Sequence, residues 1–338
     1  MQYRIIGNTG LKVSEIGFGC GNNAVLMVKA PYDEQVKVVK RALDSGITFF
    51  DTAFAYGLGK SEENLGRILK DLGANPVVST KIRLEADCVG DIKAATIRAV
   101  EGGLKRLGRE RVDFVQLHTR VTRERGMDKR FSLTPPDVLG TNGVANSVIA
   151  GFKTLRERGK VGCFGFSGLG ETAALLELVD SGEFHGFQCY YNLLNPSAGE
   201  RVPKDFSAQD YGLILDRAAA KGMGAFVIRV LASGALTSNP SAGGGSSGQT
   251  LSPGSDYPLD LERSEKVKAA LGVEGKDLTQ AAIRFALMNA KVSTVLVGFS
   301  NTTHVDEAVA CSGMPSLSDQ QMSKISDLWQ SDFGKLSN

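Results

Sequence analysis

Three features of the sequence predict an α/β protein built as a (β/α)8 TIM barrel. Strand-like apolar runs alternate with amphipathic segments from near the N-terminus to near the C-terminus. The strand candidates are continuous apolar runs rather than alternating patterns, which is typical of parallel strands covered on both faces. Eight such pairs within about 300 residues match the size of a closed barrel. A doubly wound open sheet is the alternative, because the number of strands does not by itself show that a sheet closes.

The predicted elements begin with a short β-hairpin, indicated by the turn residues Asn8-Thr9-Gly10. The strand candidates are Glu15–Gly19, Ile47–Asp51, Val77–Lys81, Val112–His118, Val161–Phe166, Gly186–Tyr190, Ala225–Val230 and Thr294–Gly298. The helix candidates include Asp33–Asp44, Ser61–Leu72, Asp91–Leu107, Val148–Arg158, Glu171–Ser181, Tyr211–Lys221 and Leu278–Asn289. No domain boundary is visible, so we expect residues 1–338 to form a single domain.

Two segments interrupt the alternation. Thr119–Gly143 is long for a loop between a strand and a helix and is rich in arginine and lysine. Ser238–Pro258 is rich in glycine, serine and proline, a composition typical of flexible segments. Both follow strands, so we expect long loops on the C-terminal face of the barrel, where binding loops of this architecture occur.

Composition and charge restrict the classes of function. A formal net charge of +2 and a hydrophobic content of 42% are those of an ordinary globular protein and give no reason to expect nucleic acid or a membrane as partner. No apolar run reaches the ~18 residues that a membrane span needs. The five cysteines are scattered and the histidines number three, which argues against a disulfide framework and a metal site. We therefore expect a cytoplasmic protein that acts on a small molecule without a metal ion.

Ionisable side chains stand at the carboxyl ends of three consecutive strand candidates. Asp51 ends the second candidate, with Tyr56 five residues later, while Lys81 ends the third and His118 the fourth. In a parallel barrel these ends share one rim, so we expect the four side chains to converge. One such residue alone is more often part of a structural ion pair or a hydrogen-bonded core. Four convergent groups of different types are typical of a catalytic site.

The types of side chain suggest proton transfer at an oxygen atom. The pKa of a tyrosine lies near ~10 in water, which is too high for efficient acid-base chemistry at neutral pH. An ammonium such as Lys81 stabilises the phenolate of Tyr56 and lowers its pKa, and Asp51 balances the ammonium. The imidazole of His118 can orient a substrate oxygen or relay a proton. This set suits interconversion of a carbonyl and an alcohol, with the hydride left to a cofactor.

Several motifs around these residues resemble those of the aldo-keto reductase family. Leu11–Gly19 is similar to the family's opening, and Gly46–Gly57 to its main signature. Asp113–His118 and Gly159–Ser167 follow in the family's order and spacing. The resemblance covers nearly the whole chain and implies a (β/α)8 fold with a nicotinamide cofactor. We expect a monomer or small homo-oligomer.

The resemblance also implies a role for each site residue. Tyr56 is the general acid and base, Lys81 and Asp51 tune it, and His118 polarises the carbonyl. Ser167 and Gln188 match the pair that hydrogen-bonds the nicotinamide carboxamide. Candidates for the loops that hold the pyrophosphate and the adenosine end of NAD or NADP are Arg229, Leu231, Ser233, Gly234, Leu236, Gly298, Phe299, Ser300, His304 and Glu307.

The sequence departs from the family's usual pattern in four places. Gly168 stands where an asparagine often occurs, and Ile228–Val230 replaces the common aromatic-Ser-Pro. His304 and Ala308 replace residues that the family often uses at the adenosine end, and residues 298–308 contain no lysine or arginine. Because the 2′-phosphate of NADP calls for a basic partner, this segment favours NAD, or use of both cofactors, over the family's usual NADP.

These inferences predict an NAD(P)-dependent dehydrogenase or reductase acting on an aldehyde, a ketone or an aldose-like sugar. The alternative is a non-catalytic, cofactor-binding auxiliary subunit of aldo-keto reductase type, since some relatives look like auxiliary subunits of channels. Loss of one of the four catalytic candidates would have favoured that alternative, and none is lost. A metal-dependent barrel hydrolase would need clusters of histidine and carboxylate that the sequence lacks.

Overall fold

A closed parallel barrel is the centre of the computed structural model, which describes residues 1–21, 25–84, 90–124, 138–238, 240 and 256–334. The strands are β1 (Tyr3–Ile5), β2 (Lys12–Ser14), β3 (Ile16–Gly19), β4 (Phe49–Asp51), β5 (Val77–Ile82), β6 (Val112–Leu117), β7 (Arg120–Thr122), β8 (Val138–Gly140), β9 (Val161–Ser167), β10 (Gly186–Tyr190), β11 (Gly224–Ile228) and β12 (Val292–Gly298). The barrel runs β3-β4-β5-β6-β9-β10-β11-β12 and closes from β12 to β3. The predicted barrel is confirmed and the open sheet is wrong.

The predicted barrel strands agree with the observed ones to within two residues at each end. One difference has a clear cause. The candidate Ala225–Val230 ends at Ile228, because Arg229 has a φ of 59° and leaves the extended conformation. The hairpin predicted at Asn8–Gly10 is present as the antiparallel pair β1 and β2.

Helices surround the barrel. Among the described residues they are Leu26–Lys29, Tyr32–Asp44, Lys60–Asp71, Ile92–Leu107, Thr141–Gly143, Ile149–Glu157, Thr172–Asp180, Ile214–Ala220, Tyr257–Leu271, Lys276–Met288, Thr302–Ala310 and Asp319–Gln330. A π-helical turn spans Val144–Val148, and 3₁₀ turns span Ala232–Gly234 and Asp332–Gly334. The seven helix candidates are present with bounds shifted by at most three residues. Two helices, Tyr257–Leu271 and Asp319–Gln330, were not predicted; the first lies between β11 and the predicted helix Leu278–Asn289, and the second follows helix Thr302–Ala310.

Helix Ile92–Leu107 shows how local sequence sets these bounds. The side chain of Asp91 accepts a hydrogen bond of 2.9 Å from the backbone N–H of Ala94, which satisfies one free donor of the first turn. Gly108 ends the helix with a φ of 62°, a conformation that glycine adopts without steric cost. Its apolar face, which includes Val100, is buried against the barrel.

The β1–β2 hairpin closes the amino-terminal end of the barrel. Ile6 and Val13 are fully buried and form a cluster with the interior residues Phe49, Phe114 and Phe226. The ring centroid of Phe226 lies 5.0 Å from those of the other two rings. Burial of each such side chain stabilises the fold by about 1.5–3 kcal/mol. This aromatic floor leaves the carboxyl-terminal end as the open side for a site.

The register of the strands decides which residues are neighbours at that end. Asp51 is paired with Ser79, and Lys81 with Gln116. On the far side of the barrel Ser167 is paired with Gln188. Polar side chains therefore meet in one layer above the aromatic floor.

The two interrupting segments are described only in part. In Thr119–Gly143, β7 pairs in parallel with β8, and residues 125–137 lie outside the described residues, as do most of the residues between 238 and 256. The long-loop prediction for Ser238–Pro258 therefore lies largely outside the described residues. Within the described ranges, no helix is both long and apolar enough to cross a membrane.

Candidate active site

Lys81 lies at the centre of the site and uses all three of its ammonium protons. Its Nζ donates to Asp51 Oδ2 at 2.5 Å, to the backbone oxygen of Thr52 at 2.9 Å and to Tyr56 Oη at 3.1 Å. An ammonium has no lone pair, so the phenol oxygen must accept in this contact. The phenol's own proton is consequently left for another acceptor.

The ion pair between Lys81 and Asp51 is buried, with side-chain exposures of 0% and 4%. The ring of His118 stands edge-on to that of Tyr56, with centroids 5.9 Å apart and an interplanar angle of 85°. The structure therefore brings together all four residues that the strand ends predicted.

The loop that carries Tyr56 is anchored to the barrel on both sides. The hydroxyl groups of Thr52 and Ser61 are 2.9 Å apart, and Ser61 donates to the backbone oxygen of Cys20 at 3.0 Å. A Cβ built at Gly21 would lie 3.6 Å from Cζ of Tyr56, an ordinary van der Waals distance, so the segment that follows β3 runs alongside the phenol. These contacts limit the motion of the phenol relative to Lys81.

A buried carboxylate holds the helix that follows this loop. Glu62 accepts hydrogen bonds of 2.6 Å from Thr80 Oγ1 and from Arg106 Nε. The guanidinium of Arg106 also lies 4.7 Å from the ring centroid of Phe54, which is two residues before the phenol. The cluster connects the loop to β5, next to Lys81.

Burial and nearby charges set the pKa values in the site. Burial raises the pKa of Tyr56 and the positive charge of Lys81 lowers it. Burial has the larger effect, so the pKa lies above the usual value for a tyrosine. Lys81 therefore acts on the pKa in the expected direction, but desolvation of the phenolate makes the net shift upward. For Lys81 burial acts to lower the pKa, but Asp51 and Tyr56 outweigh it and the pKa is raised, so the ammonium stays charged.

The imidazole of His118 is neutral near pH 7. Burial is the largest cause that holds its pKa well below 6.5, and the positive charges of Lys81, Arg83 and Arg120 act in the same direction. A neutral imidazole carries one N–H donor and one acceptor. The neutral ring can therefore donate its one N–H to a substrate oxygen without adding a positive charge to the site.

Ser167 and Gln188 form a polar pair on the opposite wall of the barrel. They are adjacent in the β9–β10 register and both are 1% exposed. Within the described residues, Ser167 Oγ and Gln188 Nε2 have no hydrogen-bond partner. Buried polar atoms without partners are costly, at about 1–3 kcal/mol each. A carboxamide, which has both an acceptor oxygen and a donor NH2, would satisfy both atoms, so this pair fits a nicotinamide.

The loop after β11 has an unusual backbone. Arg229, Ala232 and Ser233 have φ values of 59°, 46° and 55°, a region that non-glycine residues seldom adopt. Arg229 Nη1 donates to Ser233 Oγ, and the backbone oxygen of Arg229 accepts from Asn192 Nδ2 at 2.9 Å. Gly234 follows with a φ of 103°. Such strain is maintained by these contacts and clusters at ligand-binding loops.

Two of the predicted cofactor residues have their side chains in the core rather than in the site. Phe299 is fully buried, with its ring centroid 5.1 Å from that of Phe18, and Leu236 is fully buried as well. Only their backbone groups remain for a ligand. Leu231, in contrast, is half-buried.

The helix Thr302–Ala310 follows β12, which ends at Gly298, and Ser300 lies in the connection. Asn301 Oδ1 caps it by accepting from the backbone N–H of His304 at 3.0 Å. His304 is exposed and Glu307 is partly exposed. The basic residue Arg41, from the helix alongside, is paired with Asp306 at 2.6 Å.

Sequence analysis missed the support beneath the catalytic candidates. Gln116 Nε2 donates to Asp51 Oδ1 at 3.3 Å and to Ser79 Oγ at 2.9 Å. The available signal was a glutamine inside the apolar run Val112–Leu117 of a parallel strand. In the described part of the chain, no group of three or more histidine, cysteine, aspartate or glutamate side chains is arranged to hold a metal.

Comparisons with known proteins agree with this architecture. The model of the Aldo/keto reductase family matches residues 15–330. The chain is 28% identical over 321 residues to L-galactose dehydrogenase of Arabidopsis thaliana, covering 92% of this chain and 88% of the relative. It is 27% identical over 364 residues to L-glyceraldehyde 3-phosphate reductase of Escherichia coli O157:H7, covering 99% and 96%. The holo form of aldo-keto reductase AKR11C1 from Bacillus halodurans has the same fold, with a TM-score of 0.70, 22% identity, and 98% and 97% of the chains covered.

Proposed function

Since the chain belongs to the aldo/keto reductase family, we propose that it interconverts a carbonyl and its alcohol using a nicotinamide dinucleotide, with Tyr56 as general acid and base. The observation that carries this proposal is the threefold hydrogen bonding of Lys81. That arrangement leaves the phenol proton directed elsewhere and places a positive charge where a phenolate would form. Both features are what a proton donor to a substrate oxygen needs.

In the reducing direction Tyr56 gives its proton to the carbonyl oxygen as that oxygen gains negative charge. Lys81, 3.1 Å from the phenol oxygen, stabilises the phenolate that remains. Asp51 keeps the ammonium in place and charged, and the neutral His118 donates to the same substrate oxygen and orients it. In the oxidising direction the phenolate takes the alcohol proton.

A bound nicotinamide cofactor would supply the hydride for reduction, or accept it in oxidation. Ser167 and Gln188 would hold its carboxamide, because their unpartnered atoms match that group in donor and acceptor character. The strained loop that contains Arg229 and Ser233 would hold the pyrophosphate. We propose NAD, or use of both cofactors, because residues 298–308 contain no lysine or arginine and Arg41 is paired with Asp306.

For the substrate we propose an aldehyde, a ketone or an aldose-like sugar. The names of the two relatives, L-galactose dehydrogenase and L-glyceraldehyde 3-phosphate reductase, favour aldoses. The compounds in these names, L-galactose and L-glyceraldehyde 3-phosphate, are polar, hydroxylated carbonyl compounds. A panel of aldoses and short aldehydes is therefore the first choice for assays.

The proposal is tested with Tyr56→Phe and a matched control, Tyr32→Phe. Tyr32 donates to Asp71 at 2.6 Å outside the barrel mouth, so its replacement removes a phenol without touching the site. We expect Tyr56→Phe to lower kcat by about 10²- to 10⁴-fold, the usual contribution of a general acid. Binding of NADH and NADPH, followed by fluorescence, should persist, and Tyr32→Phe should behave as the wild type.

Two results would contradict the proposal. Equal turnover by Tyr56→Phe and the wild type would show that the phenol transfers no proton. Cofactor binding by the wild type without turnover of any carbonyl or alcohol in the panel would instead support the auxiliary subunit.

A further inference from the structure

We propose that Gln116 is a positioning residue that holds the carboxylate of Asp51 from below and so controls the proton affinity of Tyr56. The inference rests on the proposed function, because it assigns the support of the same four groups. Gln116 is a buried amide in the polar layer between those groups and the aromatic floor, and it donates a hydrogen bond to Asp51.

The geometry divides the two oxygens of Asp51 between two donors. Oδ2 accepts from Lys81 at 2.5 Å, and Oδ1 accepts from Gln116 Nε2 at 3.3 Å. The same amide nitrogen donates to Ser79 Oγ at 2.9 Å. With both oxygens held, the carboxylate plane has one orientation, and that orientation points Oδ2 at the ammonium.

The placement of Gln116 is costly for the fold, which argues against a purely structural role. The residue is 0% exposed, and among the described residues its Oε1 has no hydrogen-bond partner. Its neighbours along β6, Val115 and Leu117, are fully buried apolar residues. An apolar side chain of equal length would avoid the free-energy cost of leaving a buried carbonyl oxygen unpaired.

Loss of the amide should affect Tyr56 in one direction. Without a donor on Oδ1, the negative charge of Asp51 is less stabilised and its carboxylate is free to turn away from Lys81. A more exposed negative charge disfavours the phenolate, and a displaced ammonium stabilises it less. Both effects raise the pKa of Tyr56. The other ionisable groups that face this cluster are Cys20, His118 and Arg229.

The first variant is Gln116→Met, which keeps the length of the side chain and removes the donor. Tyrosine labelled with carbon-13 at Cζ reports the ionisation of Tyr56 by NMR in the cofactor-free protein, with Tyr56→Phe identifying its signal. We expect the titration of Tyr56 to move to higher pH. We also expect kcat for alcohol oxidation to fall by about ten- to a hundredfold, as for a displaced catalytic group, with cofactor affinity unchanged.

The second variant, Gln116→Glu, should retain activity at low pH and lose it at high pH, a pH dependence that a purely structural role of Gln116 would not produce. When protonated, the introduced carboxyl still donates to Asp51, and when ionised it places a second negative charge beside it. We expect turnover close to that of the wild type at low pH and an additional decline as pH rises. The control is Thr294→Val, since Thr294 Oγ1 is also buried without a partner in the described structure but has no hydrogen bond to the four groups.

The inference is overturned if the titration of Tyr56 and the pH profile of both Gln116 variants coincide with those of the wild type. If Gln116→Met does not fold, the pH profile of Gln116→Glu decides the question in the same way. The NMR titration needs neither substrate nor cofactor. It therefore separates failure of this inference from failure of the proposed function, which would appear as absent turnover by the wild type.

Discussion

Replacing Lys81 with methionine removes the positive charge from the centre of the site and keeps the length of the side chain. The ammonium lies 3.1 Å from the phenol oxygen of Tyr56 and 2.5 Å from Asp51 Oδ2. Lys81→Met therefore removes the attraction that stabilises the phenolate and, at the same time, the counter-charge of Asp51.

The magnitude follows from the distance. Two unit charges 3.1 Å apart attract by about 5 kcal/mol at an effective dielectric constant of about 20. The negative charge of Asp51 opposes part of this attraction, so the net loss is smaller. Since burial already raises the pKa of Tyr56, removal of the ammonium raises it further. We expect kcat to fall by about 10²- to 10⁴-fold, the range of general acid-base catalysis.

Stability provides a second measurement of the same ion pair. Lys81→Met leaves the 4%-exposed carboxylate of Asp51 without its cation, which should destabilise the fold by about 3–5 kcal/mol. Adding Asp51→Asn removes that unpaired charge. The double variant should recover much of the lost free energy of unfolding in urea, while its activity should remain as low as that of Lys81→Met.

The assay is the pH profile of alcohol oxidation with a saturating cofactor, for the wild type and both variants. In the wild type we expect the rate to rise with pH, because the raised pKa keeps Tyr56 protonated at neutral pH. In Lys81→Met the rise should move to higher pH. An unchanged profile, or a double variant that regains activity together with stability, would refute the electrostatic role of Lys81.

Two further predictions concern the cofactor and the stability of the fold. His304→Arg adds a cation at the exposed start of helix Thr302–Ala310. It should raise the affinity for NADPH about tenfold relative to that for NADH, as expected for a charge-assisted hydrogen bond to phosphate. Fluorescence titration with both cofactors measures this change, and an equal gain with His304→Gln would contradict the prediction. For His118, the pKa is well below 6.5 in the folded state, so below pH 6.5 the unfolded state binds more protons. The free energy of unfolding should therefore fall as pH drops from about 7 to about 5, by up to about 1.4 kcal/mol per pH unit for this group. His118→Asn should reduce that slope in urea denaturation series, and an identical slope would show that His118 is not its source.

Much of the fold could be predicted from local patterns. Apolar runs bounded by turn residues located the eight barrel strands, because burial on both faces leaves a direct trace in composition. The helices Tyr257–Leu271 and Asp319–Gln330 were missed, and the first has no strong apolar periodicity, with aspartate and arginine among its buried positions. Its buried Arg263 is paired with Asp332, a contact between residues far apart in the chain.

For the candidate site, the residue types could be predicted from the sequence, whereas the contacts between those residues became visible only in the structure. Asp51, Lys81 and His118 were found because a charged or titratable residue at the end of an apolar strand is a local signal. Gln116 was not, since its importance depends on the β5–β6 register that places it beneath Asp51. The core position of the Phe299 ring likewise depends on packing against β3.

The sequence by itself determined the alternating strands and helices, the family resemblance and the four ionisable groups at the strand ends, since each depends on residue type and spacing along the chain; closure of the sheet into a barrel was decided by the pairing of β12 with β3. Only the tertiary structure showed that Lys81 donates its three ammonium protons to Asp51, Thr52 and Tyr56. It also showed that burial raises the pKa of the phenol by more than the ammonium lowers it. The physical reason is that desolvation and hydrogen-bond partners are properties of a position in space, which residues distant in the chain create together.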